Sequence, residues 1–480
     1  MAWETVIGLE VHVQLRTRTK MFCGNRTTFG DPPNTNVCPV CLGLPGALPV
    51  PNAEAIRLAV RGALALGCTV HETSVFARKN YFYPDLPKGY QISQFDRPLA
   101  SGGSVSFDSP DRGRIQVGIT RLHVEEDAGK LLHDRFPGRT AVDLNRAGTP
   151  LAEIVSEPDL RSPAEARAYL TTLRQILVYA GVSECSMEQG SLRVDANLSI
   201  RPAGTSKLGT KTEVKNMNSF ANVERALEAE RARQIALAES GRRVEQVTLL
   251  FNAGTGQVKP TRSKEESHDY RYFPDPDLPP LVLARAWIAE QQAALPELPD
   301  AKRARLESAY ALPAYDAKVI ASEAALAHYF EAVVRAGSDP KAAANWVMGD
   351  VMTTYNESGA FAVTAERLAQ LIGLVRDGTV SHQAAKRVYT ELTRSPGEDA
   401  RVAAERLGLV QVSDQGSLSG WVDEVIAAHP GEVARFRGGE AKLMGFFVGQ
   451  VMKLSKGKAD PKGVQPVLQE RLQQTAGTKP

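Results

Sequence analysis

Ile7-Gly-Leu-Glu-Val-His-Val-Gln-Leu15 alternates apolar and polar residues. Successive side chains of a β-strand point to opposite faces, so Ile7, Leu9, Val11, Val13 and Leu15 share one side, and Gly8, Glu10, His12 and Gln14 the other. Ile119–Glu125 repeats the arrangement, with Arg121, His123 and Glu125 opposite Leu122 and Val124. Ser191–Ser199 does so again, setting Arg193, Asp195 and Asn197 opposite Leu192, Val194, Ala196 and Leu198. Such faces either meet solvent or, converging on one sheet, line a cleft where carboxylates stand beside cations and amides. The second case equips a protein to bind Mg²⁺ together with phosphates, because Mg²⁺ takes oxygen ligands and usually only one or two carboxylates.

Between the first two strands runs Arg78-Lys-Asn-Tyr-Phe-Tyr-Pro-Asp-Leu-Pro-Lys-Gly-Tyr-Gln91. Aromatics interleaved with Lys, Asn and Gln suit either base stacking with phosphate contacts or a well-packed surface loop. Asn145–Pro150 and Lys215–Ser219 are further polar turns, and the second opens a predicted helix whose free N–H groups favour an anion. The nearest approach to a P-loop, Gly204–Thr212, places Thr210 between Gly209 and Lys211, which breaks the Gly-Lys-Ser/Thr geometry. Cys38-Pro-Val-Cys41 has the turn of a zinc knuckle and Cys23 lies nearby, one ligand short of the four that structural zinc takes. Cys68 and Cys185, in apolar contexts, read as small buried hydrophobes.

The elements that must position these residues are of two kinds. Up to about Leu281 the 480-residue chain is strand-rich and punctuated by Gly and Pro, with helices expected over Asn52–Gly67, Ser162–Tyr179 and Asn218–Ser240. From there to residue 405 it reads as helix after helix. A polar break, Val412–Gly420, precedes a last helical unit, Trp421–Leu472. The expectation is an α+β multi-domain protein: a mixed α/β domain over residues 1–294, an all-α domain over 295–410 and a small all-α tail over 411–480. Net charge is only +2, yet from Arg435 to Lys462 the basic residues Arg435, Arg437, Lys442, Lys453, Lys456, Lys458 and Lys462 stand against only Glu440 and Asp460. That end either holds a polyanion or is a solvated helical face. No apolar run approaches the ~20 residues that span a bilayer. The first residues lack a basic, then apolar leader, so a cytoplasmic protein is expected.

The strand Val6–Leu15, Cys38–Gly46, Lys79–Gln91, Leu122–Lys130, Thr149–Pro158, Gly190–Asn197, Asp269–Asp277 and Gly445–Lys453 together resemble the B-subunit family of tRNA-dependent amidotransferases, across essentially the whole chain. The resemblance implies a cradle domain, a helical domain and a tail domain that helps hold tRNA, in a heterotrimer with a glutaminase A subunit and a small C subunit. It implies a ligase that uses ATP and Mg²⁺ to phosphorylate the side-chain carboxylate of Glu or Asp misacylated onto tRNA. Ammonia from glutamine then displaces the phosphate. Carried over residue by residue, it points to Glu10, His12 and Glu125 as metal-binding and catalytic residues, with Asp195 and Glu153 behind them. Lys79, Lys88, Arg193 and Lys215 become candidates for ATP and phosphate contacts, and Tyr81, Tyr83, Tyr90 and Asn145 for the pocket of the tRNA 3′ end. Many members carry Cys-Gly-Cys where this chain has Cys23-Gly-Asn25, so a Zn²⁺ site of Cys23, Cys38 and Cys41 stays open. Two other readings remain: a non-catalytic tRNA-binding scaffold of the same complex, and a small-molecule carboxylate–amine ligase without an RNA partner.

Overall fold

The computed structural model describes residues 2–261, 270–411, 414–455 and 457–473. Asp269 of the Asp269–Asp277 motif and Lys456 of the basic tail lie outside them. The chain divides into two compact units, residues 1–299 and 300–480. No helix among the described residues is long and apolar enough to cross a membrane.

The first unit is built on a sheet of ten strands among the described residues. Its centre places the strands Leu192–Pro202, Trp3–Gln14, Pro150–Ser156 and Gly113–Glu126 side by side, each antiparallel to its neighbour. The apolar faces of these strands are buried to within a few per cent: Ile7, Leu9, Val11, Val13, Ile154, Val194 and Leu198 join one core. Three helices contribute to the same core and account for its depth. Ala53–Ala65 starts at Asn52, whose side chain accepts from the N–H groups of Glu54 and Ala55. Pro163–Tyr179 starts at Ser162 with proline in its first turn, and Phe220–Glu239 starts at Ser219. These are the cap residues that satisfy the donors a helix start leaves over. With the helices' apolar stripes joined to that core, the polar faces of the central strands are left to line a cleft.

The second unit is helical, with two separate apolar cores, one drawn from Leu306–Ala404 and one from Leu418–Leu472. The break expected over Val412–Gly420 is shorter than that. A helix already runs from Gln415 to Ala428, because the Asp414 carboxylate accepts from the N–H groups of Gly416 and Ser417. Trp421 therefore lies inside a helix instead of opening one. Two glycines and two serines at its start disguise this helix in the sequence, since none favours the helical state.

Candidate active site

Strand register brings the three polar faces together. Arg193, His12, Glu153 and His123 stand directly opposite one another across four adjacent strands, and Asp195, Glu10, Val155 and Arg121 form the next row. The result is a cleft with a free volume of about 290 Å³, lined chiefly by charged and aromatic side chains. Five carboxylates (Glu10, Glu125, Glu153, Asp195, Glu213) face three Lys/Arg cations (Lys79, Arg121, Lys215) and the two histidines.

At its floor the groups are in contact. His12 Nε2 lies 3.4 Å from Glu153 and 3.7 Å from Glu125, while His123 Nε2 lies 3.2 Å from Glu153 and 3.6 Å from Glu125. Ser93 donates to Glu125 at 3.1 Å. Burial opposes charge on His123, but the two carboxylates outweigh it and lift the imidazole to about 9. His12 rises for the same reasons, and Glu125 and Glu153 are held below the ordinary carboxylate range by the imidazoles despite their burial. Glu10 goes the other way: burial first, then the charge of Glu153, raise it, against a hydrogen bond from Asn197 at 3.0 Å. Desolvation, hydrogen bonds and neighbouring charge thus act in opposite senses on carboxylates a few ångströms apart.

One donor set here fits a divalent cation. A ring nitrogen of His12 and oxygens of Glu125 and Glu153 all lie within 4.8 Å of one another, and Glu125 is 2% exposed. Two carboxylates and an imidazole with room for phosphate oxygens suit Mg²⁺ or Mn²⁺. His123 Nδ1 is buried without a hydrogen-bond partner among the described residues, and the polar contacts of the ring are those of Nε2 with Glu125 and Glu153.

Other residues named from the sequence land in varied places. Lys79 enters the cleft; burial disfavours its charge, but the Glu125 carboxylate keeps its pKa raised. Lys215 is paired with Asp195 at 2.9 Å and Glu213 at 3.0 Å. Arg193 turns to Asp127, at 2.8 Å, which Gln14 also binds at 3.0 Å. Tyr81 packs edge-on against Tyr270, while Tyr83 is exposed. Asn145 is taken up by the distant loop over residues 31–36, accepting from Asn36 N–H at 2.8 Å and donating to the Pro32 carbonyl at 2.7 Å. Lys88 and Tyr90 line a second cavity of about 120 Å³ with Cys23, Cys41 and Glu126. There Lys88 is ion-paired with buried Glu126. Gly43 packs against it with φ of 67°, and a Cβ there would lie 2.6 Å from Lys88 Cγ. Arg121, His123, Glu213, Phe95, Tyr270 and Tyr272 join the cleft without having been singled out as site residues. For Arg121 and His123 the signal was present, since both sit on the polar face of their strand.

The three cysteines converge around a hydrogen-bonded core. Cys41 Sγ lies 3.9 Å from Cys38 Sγ and receives Asn25 Nδ2 at 3.5 Å, Lys20 Nζ at 3.7 Å and the Cys38 N–H at 3.1 Å. The Cys23 thiol, with lesser help from the Cys38 N–H and the Lys20 charge, pulls Cys41 down to about 5 against burial. Cys23 itself is pushed up, chiefly by that same bond. Asn25 donates to both Cys23 Sγ and Cys41 Sγ instead of supplying a thiolate, so the three cysteines fall one short of the four ligands of a structural zinc site. Asn25→Cys is therefore expected to retain one equivalent of zinc through dialysis against a chelator where the wild type retains none. Equal zinc in the two proteins by elemental analysis would contradict this reading.

Residues 5–289 match the family model described as the GatB/GatE catalytic domain, and residues 328–472 match the GatB domain. The chain belongs to the GatB/GatE family. It is 54% identical over 478 residues to the B subunit of the aspartyl/glutamyl-tRNA(Asn/Gln) amidotransferase of Moorella thermoacetica, covering 98% of this chain and all of that one. The B subunits of the same name from Geotalea uraniireducens and Geobacter sulfurreducens are 52% and 51% identical, again over 98% of this chain and the whole of theirs. Every residue that lines the cleft falls within the catalytic-domain match.

Proposed function

We propose that the chain is the B subunit of a glutamine-dependent tRNA amidotransferase and that the charged cleft activates the substrate carboxylate. The observation that carries this is the His12–Glu153–His123 row with Glu125 beside it, enclosed among Lys79, Arg121 and Lys215. The side chain of Glu or Asp esterified to tRNA is a poor acyl donor, because its leaving group would be oxide. Attack of one carboxylate oxygen on the γ-phosphorus of ATP forms a mixed anhydride and releases ADP. Ammonia then adds to the carbonyl carbon and phosphate departs, carrying that oxygen. Among the groups lining the cleft, Arg121 and Lys79 make no ion pair with another described residue, so they are available to phosphate oxygens. Such fixed cations stabilise the charge that develops during phosphoryl transfer. His12, Glu125 and Glu153 would hold Mg²⁺, which when bound neutralises phosphate charge; His123 fixes the two carboxylates. Glu10, whose carboxyl is pushed upward by burial and by the charge of Glu153, lines the same surface.

Ammonia comes from glutamine through a partner A subunit, with a small C subunit completing a heterotrimer. Residues 1–294 form the cradle, 295–410 the helical domain and 411–480 the tail that grips tRNA. In the tail Lys442, Lys453, Lys458 and Lys462 are exposed and make no ion pair with a described residue, whereas Arg435 is tied to Glu440 at 2.8 Å. Replacing Lys442, Lys453 and Lys458 by alanine is expected to weaken tRNA binding more at low salt than at high. The slope of log K against log salt should fall by about one for each lysine that touches phosphate. An unchanged slope in filter-binding titrations would remove the tail from the interface.

The test of the whole reading supplies ammonium in place of glutamine to the assembled complex, with Glu-tRNA or Asp-tRNA. Amide is expected to form on the tRNA only with ATP and Mg²⁺ present. Binding of both charged tRNAs without amidation of either would leave a scaffold.

A further inference from the structure

Three aromatic rings, Phe95, Tyr270 and Tyr272, line the cleft, and a fourth, Tyr81, packs against them. Tyr81 packs edge-on to Tyr270 with centroids 6.0 Å apart, Tyr270 edge-on to Tyr272 at 6.0 Å, and Tyr272 lies flat on Phe95 at 4.0 Å with 5° between the planes. Phe95 is 50% exposed, although it lines a cleft whose floor is buried. An exposed phenylalanine stacked in parallel is a costly surface feature unless a flat partner completes the stack. Its position is fixed from below. Gln94 donates to Ser74 Oγ at 3.0 Å and accepts from the N–H groups of Leu99 and Val124 at 3.0 and 3.1 Å. Ser93, two residues before Phe95, holds Glu125. The ring is thus tied to the carboxylate floor through three consecutive residues. Lys79 Nζ lies 4.9 Å from the centroid of Tyr270, so a cation stands between the aromatic rim and the carboxylates.

We propose that the exposed face of Phe95, backed by Tyr272, stacks an adenine ring whose phosphate or ribose end reaches toward Lys79 and the carboxylate floor. This rests on the activation reading above and adds the group that recognises the base. Aromatic stacking tolerates any base, and adenine is the one that both substrates carry, in ATP and in the 3′-terminal adenosine of tRNA.

The experiment uses the assembled complex with Phe95→Ala, Phe95→Leu and Phe95→Trp, measuring ammonium-dependent amidation against ATP and charged tRNA separately. Phe95→Ala and Phe95→Leu should raise one KM about 5- to 100-fold with kcat little changed, and Phe95→Trp should restore it. A rise confined to ATP assigns the rim to the nucleotide, and one confined to tRNA assigns it to the terminal adenosine. Unchanged KM values for both substrates, or Phe95→Leu behaving as wild type, would overturn the proposal. Phe95→Trp also gives a readout that needs no amidation. Its fluorescence, relative to wild type, should be quenched by a non-hydrolysable ATP analogue or by uncharged tRNA ending in CCA. Quenching in a complex that does not amidate would overturn the activation reading and leave the adenine site standing. Absence of quenching by either ligand in an active complex would do the reverse.

Discussion

Replacing Glu125 by glutamine is expected to cut ammonium-dependent amidation by about 10²–10³-fold or more, with tRNA binding retained. The substitution preserves size at a residue that is 2% exposed, so packing changes little. It removes one of two charges that face two imidazoles at 3.2–3.7 Å, and it places an amide where His12, His123 and Ser93 all direct donors. Glu153→Gln should behave alike, because Glu153 stands between both histidines in the strand register. A second signature separates loss of the charge from misfolding. His123 is raised to about 9 by the two carboxylates, so in Glu125→Gln it should titrate nearer its ordinary value, visible by NMR of the imidazole protons. Wild-type rates in both variants would show that the carboxylate pair is not the activation site.

The second large effect concerns stability. Lys88→Met should destabilise the first unit by about 3–5 kcal/mol, the usual consequence of stripping one partner from a buried ion pair. Both side chains of the Lys88–Glu126 pair are under 10% exposed. Glu126 also accepts from the Ile92 N–H at 2.9 Å and so cannot swing out to water without losing that bond. The double variant Lys88→Met with Glu126→Gln keeps an acceptor for Ile92 and removes the stranded charge, so it should recover most of the loss in urea denaturation. If the single variant is as stable as wild type, the pair is not desolvated as the structure shows it.

Much of this was legible from period-2 alternation, which is local. Glu10, His12, Arg121, His123, Glu125 and Asp195 could be assigned to polar strand faces because each strand carries its own pattern. Register was not legible: that His12 pairs with Glu153, and Glu153 with His123, depends on contacts that local patterning does not encode, the first between strands more than a hundred residues apart. Glu125 and Glu126 show how fine the distinction is. Adjacent in the chain and on opposite faces, one serves the cleft and the other the cysteine cavity. Lys79 and Lys88 divide between the same two places, though one motif carries both. Asn145 has the composition of a recognition loop but is held by Asn36 and Pro32, and only the fold reveals partners that far away. The helix from Gln415 was hidden because Asp414 caps a start rich in glycine and serine.

The most direct test of the activation chemistry follows an oxygen atom. With the side-chain carboxylate of Glu-tRNA or Asp-tRNA labelled with ¹⁸O, and the assembled complex supplied with ATP and ammonium, mass spectrometry of the released inorganic phosphate decides the matter. A carboxylate oxygen that attacks the γ-phosphorus leaves with phosphate, so one labelled oxygen should appear per amide formed, and none with Glu125→Gln. Amide formed alongside unlabelled phosphate would contradict the account, because the carboxylate would then have reacted without ever bonding to phosphorus.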